Sequence, residues 1–131
     1  MCYSRYLKIL FLGLFLSFLL VFDVGAFSYR RSVVLSSGVA LSDIQVSFVL
    51  NTASLVSAGK MRSDCGDLRV TDSDGATFLP YWIEEGTCNT SSTRVWVRVP
   101  SVPSGSKVLY VYYGNSGVQS AASGDSVFLF F

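Results

Sequence analysis

The chain reads as an all-β protein: an antiparallel, jelly-roll-like β-sandwich with one short helix, preceded by an N-terminal signal-peptide helix. Three features carry that reading. After residue 26 the apolar residues fall in short alternating runs, the runs are separated by Gly, Ser, Asn, Asp and Pro, and no long stretch repeats with a helical period.

The first element is the leader. Arg5 and Lys8 open it, residues 9–22 are apolar apart from Gly13 and Ser17, and Val24, Gly25 and Ala26 close it. The apolar run of about 14 residues falls short of the roughly 20 that a membrane-crossing helix needs, and its flanks have the order of a cleavable signal peptide. Cleavage is expected near Ala26, which divides the chain into a leader, 1–26, and one β-sandwich domain, 27–131. An uncleaved anchor is the alternative, and the membrane is then met only through this segment or an anchor outside the sequence. Cys2 precedes the apolar run and leaves with it, so it is no lipid-attachment cysteine. The mature protein is expected to be secreted or held at the cell surface.

Removing Arg5, Lys8 and Asp23 from the ten basic and nine acidic residues leaves eight of each. A chain so close to neutral lacks the basic face that nucleic acid selects.

Residues 29–35 start the domain. Ile44, Val46, Phe48 and Leu50 alternate with Gln45 and Ser47, which gives a strand with one buried face. Residues 52–58 offer a capping residue, then Leu55 and Val56, with Gly59 as a stop; one or two helical turns are expected there, plugging an end of the sandwich. Leu68 and Val70 alternate up to Asp72-Ser73-Asp74-Gly75, whose Asp-Gly step suits a tight turn, and residues 78–84 return as the second arm of a hairpin. Pro80 has no N–H for a ladder, so this arm belongs at a sheet edge or carries a bulge. Residues 93–99 point Val95, Val97 and Val99 inward and Arg94, Trp96 and Arg98 outward, before Pro100 and Pro103 enforce a turn. Residues 108–113 form the next strand, and residues 114–125 a loop of small residues. The apolar residues 127–131 are expected to be a last strand, one that completes the sheet or templates pairing with another chain.

Cys65 and Cys88 are the two cysteines of the mature chain, and in an exported protein an even pair is expected to close. Their bond would tie a loop of about 24 residues and contribute about 3.5 kcal/mol by constraining the unfolded chain.

Several blocks resemble a known family. They are Asn51-Thr52-Ala53-Ser54-Leu55, the run from Gly59 to Arg69 with Asp64-Cys65-Gly66-Asp67-Leu68 within it, Thr71-Asp72-Ser73-Asp74-Gly75, Leu79-Pro80-Tyr81-Trp82-Ile83-Glu84, Val95-Trp96-Val97 and Tyr112-Tyr113-Gly114-Asn115. In that order they resemble the bacterial and archaeal surface family known as domain of unknown function 2341, over nearly all of residues 29–131. The resemblance implies a secreted or surface-anchored β-sandwich, commonly followed by a concanavalin-like or laminin-G-like lectin domain. On that reading the sequence stops where such a partner domain would begin and is a fragment. The family brings no agreed activity, so no catalytic residue carries over.

The chain has no histidine, which removes Ser-His-Asp and Cys-His nucleophile systems and histidine metal sites. Glu84 and Glu85 are adjacent and point to opposite faces of a strand. Asp64 and Asp67 read as residues that fix loop backbone. No enzyme activity and no cofactor are expected. Asp72 and Asp74 are closely spaced oxygens that could begin a calcium loop, but Ile83 stands where an EF-hand needs its closing glutamate, and the turn is the simpler reading. Asn89-Thr90-Ser91 is a glycosylation sequon, usable only where the host has the enzyme.

Trp96 between Arg94 and Arg98 is the main surface feature, and Tyr110 and Tyr112 share one face of their strand and could extend it. A flat indole accepts the C–H face of a sugar while arginines reach hydroxyls or acids. The competing reading packs Trp96 under a loop or partner domain, with the arginines stacked on it. Two functions are therefore expected: a glycan-binding or adhesion module meeting surface glycans, or a structural spacer or assembly unit. A third is an accessory domain of a hydrolase.

Overall fold

The computed structural model of the protein describes residues 26–128. The expected leader, up to residue 25, and residues 129–131 lie outside the described residues.

Six strands and two helical turns follow one another: β1 (Tyr29–Ser37), β2 (Leu41–Leu50), α1 (Thr52–Ser57), β3 (Arg69–Thr71), β4 (Tyr81–Ile83), β5 (Thr93–Val102), β6 (Gly105–Tyr113) and α2 (Gly124–Val127). They make two three-stranded antiparallel sheets, ordered β1-β6-β3 and β2-β5-β4. The fold is the all-β sandwich the alternation predicts. Alternation sets the inner faces: Val95, Val97 and Val99 of β5 and Leu109 and Val111 of β6 are fully buried. Val70, Leu68, Leu50, Tyr81 and Tyr113 join them in one core, with Ile44, Val46 and Phe48 of β2 packed against it. Burying a side chain such as Val or Leu contributes about 1.5–3 kcal/mol, so these central strands hold the layers together.

The hairpin expected between residues 68 and 84 pairs only next to its turn, where Asp72 N–H also donates to the Thr77 carbonyl. Thr71 does bridge Phe78, and Leu79 N–H donates to the Val70 carbonyl at 2.9 Å. There the pairing stops. Pro80 offers no N–H, its carbonyl instead accepts from Arg98 N–H at 3.0 Å, and the chain crosses to the other sheet, where β4 pairs with β5. β4 is an edge strand, as Pro80 requires. A second hairpin joins β4 to β5, extended by Glu84 N–H to the Arg94 carbonyl.

Pro100 does not turn the chain either. β5 runs on to Val102, and its ladder with β2 passes from Ile44↔Val99 to Ser42↔Ser101, skipping Asp43, whose φ is 52°. Only after Val102 does the chain cross to β6 in the first sheet.

α1 is present, but its cap is Asn51, whose side chain accepts from Ser54 N–H at 3.0 Å. Thr52 turns inward and shares a 2.6 Å hydrogen bond with the Thr93 hydroxyl, which fastens α1 at the end where Leu50 faces Thr93. The Cys65–Cys88 disulfide is formed, with Cα atoms 6.1 Å apart. It staples the β4–β5 loop to the connection leading into β3.

Of the expected final strand, residues 127–131, only 127 and 128 are described. Residues 124–127 form α2, capped by the Ser123 side chain accepting from Ser126 N–H, and Val127 is fully buried. Val127 thus closes a helical turn, Phe128 is extended, and residues 129–131 lie outside the described residues.

Candidate functional site

β5 presents Arg94, Trp96 and Arg98 on the outer face of the second sheet, and the register sets Trp82 of β4 beside Trp96. Onto this pair of indoles comes Phe128. Its ring meets Trp96 edge-on at 5.4 Å and Trp82 edge-on at 6.0 Å. Gln45 of β2 donates to the Val127 carbonyl at 3.2 Å, and Ser123 N–H donates to the Tyr81 carbonyl at 2.8 Å. Residues 123–128 are thereby laid across all three strands of the sheet.

Both arginines are engaged. Arg98 donates through Nε and Nη2 to the two oxygens of Asp43, at 2.5 and 2.9 Å, a bidentate pair. Hydrogen bonding from Arg98 first, and its charge, hold the Asp43 carboxyl below its ordinary value. Arg94 lies 3.5 Å from Glu84 and donates to Ser47 Oγ, while Trp96 Nε1 donates to the same Glu84 carboxylate at 3.4 Å. These pairs are exposed, so they orient side chains more than they stabilise the fold.

Tyr110 and Tyr112 belong to β6 and face outward from the opposite sheet. They do not extend the Trp96 surface. The Arg30 guanidinium stacks over Tyr110 at 4.4 Å and donates to Tyr112 Oη at 3.4 Å, and Tyr112 in turn donates to the Gly75 carbonyl. Gly75 has φ +69°, and a Cβ there would stand 3.2 Å from Tyr112 Oη, so the turn and the tyrosine fit each other only through glycine.

Asp72 and Asp74 are spent on that same turn. Asp72 is paired with Lys107 at 2.8 Å, and Asp74 accepts from Ala76 N–H, Thr77 N–H and the Thr77 hydroxyl. Among the described residues no group of three or more His, Cys, Asp or Glu is placed to hold a metal. Asn89 is exposed in the β4–β5 loop with φ 58°, and its N–H donates to Thr52 Oγ1. Asp67 fixes backbone as expected: one oxygen accepts from Arg62 N–H, the other from Gly114 and Asn115 N–H.

Arg69 was not singled out by the sequence. It is 7 % exposed, and Nη1 donates to the carbonyls of Gly66 and Leu68 and to Tyr81 Oη, while Nη2 donates to the Gln119 carbonyl. Burial pushes the Tyr81 phenol up, so it stays protonated and donates to the Leu68 carbonyl. Strand alternation alone places Arg69 on the outer face beside Tyr112, but nothing local announces that Phe27 and residues 119–121 close over it. Trp82 and Phe128 were also missed, although Trp82 stands out of phase with inward Tyr81 and Ile83.

No curated protein and no solved structure matches the chain. A family model described as "Domain of unknown function (DUF2341)" matches residues 64–131, from just before the disulfide to the end of the sequence, and leaves β1, β2 and α1 outside the match. With half of its length matched, the chain belongs to the domain of unknown function 2341 family.

Proposed function

We propose that this is a non-enzymatic extracellular module acting as a stiff structural spacer or assembly unit of a surface protein. The observation that supports this most is the clamp at residues 123–128. Phe128 sits on Trp82 and Trp96, and Gln45 and Tyr81 hold the adjoining backbone. A chain segment fixed along a sheet transmits the orientation of the domain; a free segment does not. The Trp82–Trp96 pair is then used to grip the protein's own chain, and the flanking arginines are paired with Asp43 and Glu84.

A glycan-binding module is the second reading. It is favoured by the exposed Arg94 beside a partly exposed Trp96, and by the separate Arg30–Tyr110 stack on the other sheet.

Two measurements separate these readings. In backbone nitrogen relaxation the amide of residue 128 should report only the tumbling of the whole domain, and Phe128→Ala should add a fast component to its motion. A fast component already present in the wild type contradicts the spacer. Glycan-array binding lost on Trp96→Ala, with folding intact, would replace it with the lectin reading.

A further inference from the structure

At the edge where β3 and β4 diverge into separate sheets, a cavity of about 180 Å³ is lined by Phe27, Arg69, Phe78, Leu79, Tyr81 and Ala121. Five of its six walls are apolar or aromatic, and the sixth is a buried cation. Buried charges are ordinarily paired with an opposite charge. Among the described residues none of the ion pairs includes Arg69, and its hydrogen bonds go to three carbonyls and a phenol. All of those bonds leave from Nη1 and Nη2, and Nη1 is saturated by three acceptors. Among the described residues no hydrogen bond leaves from Nε, and since no buried side-chain nitrogen lacks a partner, Nε is open to solvent.

We infer that this cavity is a binding site for a small organic carboxylate with a flat apolar body. The carboxylate takes the Nε–Nη2 edge of Arg69 in the side-on bidentate geometry that guanidinium favours. The body lies against the rings of Phe27, Phe78 and Tyr81. Arg69 is pre-organised for this, because its other donors are fixed by Gly66, Leu68 and Tyr81 and little freedom is lost on binding. The site is independent of the clamp on the second sheet and stands or falls apart from the spacer reading.

The test is a titration of the full chain followed by amide shifts in NMR, with benzoate, with benzyl alcohol as its neutral counterpart, and with glucuronate as a carboxylate on a polar body. Benzoate should saturate shifts at Arg69, Leu79 and Ala121, and the other two should bind at least about tenfold more weakly, the loss expected for a missing charge-assisted hydrogen bond or a mismatched body. Arg69→Gln risks the fold, since four groups depend on that side chain. Ala121→Leu avoids this: Ala121 is exposed at the cavity mouth, so the larger side chain should block benzoate and leave shifts in β2 unchanged. No saturable shift, an equal response to benzyl alcohol or glucuronate, or benzoate binding that survives Ala121→Leu each overturns the assignment.

Discussion

Asp74 shows how a single carboxylate shapes this surface. The Thr77 hydroxyl, then the amides of Thr77 and Ala76, hydrogen-bond its ionised form and bring its pKa from 3.8 down to about 2. A carboxyl whose pKa is depressed by folding contributes stability that is complete above the unfolded value and disappears as the pH falls through the folded one. The contribution of Asp74 should therefore be intact above pH 3.8 and lost on descent to about 2. Asp43 and Asp64 are shifted in the same direction, by the Arg98 side chain and by Gly66 N–H respectively, as is Asp72, where Lys107 and Ser73 outweigh an opposing burial. All four carboxyls therefore contribute stability that is lost as the pH falls below their ordinary value. Carbon NMR of the Asp74 carboxyl should give a midpoint near 2, and Asp74→Asn should flatten the stability profile between that value and 3.8. A midpoint at 3.8 would mean that the turn does not hold its hydrogen bonds in solution.

At the scale of elements, the disulfide does what no sheet hydrogen bond can, because Cys65 lies before β3 of one sheet and Cys88 lies in the hairpin loop of the other. Replacing both by alanine should cost about 3.5 kcal/mol, from the entropy returned to an unfolded loop of about 24 residues. Urea unfolding measures it; a loss below about 1 kcal/mol would show that the core alone fixes the two layers. The elements themselves were legible where side chains alternate. β2 and β5 face as Ile44, Val46, Phe48 and Val95, Val97, Val99 require. Where a strand leads next was not legible. The Asp72–Gly75 turn starts a return to β3 through Thr71 and Phe78, and only the carbonyl of Pro80 meeting Arg98 N–H, a contact distant in sequence, carries the chain to the other sheet. The same is true of residue 127, whose local β-propensity yields to the packing of Val127 and Phe128 on β4 and β5.

For the whole molecule, the crossings decide which surfaces exist. Trp96 and Tyr110 both point outward, and their strands follow directly in the chain. Since β5 and β6 lie in different sheets, they face opposite sides of the domain. A composite Trp96–Tyr110–Tyr112 surface is therefore replaced by two: an aromatic clamp on one side and an arginine–tyrosine stack on the other. The gap that opens where β3 and β4 part becomes the Arg69 cavity. Outwardness could be read from period-2 patterning, but sidedness could not, because it depends on pairings that no local run encodes.

Residues 69–71 and 81–83 lie in separate sheets, and the whole arrangement of surfaces depends on it. Cross-strand backbone NOEs test it directly. Val70 opposite Val111 and Trp82 opposite Trp96 are the contacts that the two-sheet arrangement requires. A ladder continuing from the Thr71–Phe78 bridge, with Leu68 opposite Tyr81 and Asp67 opposite Trp82, would instead put both strands in one sheet and contradict it.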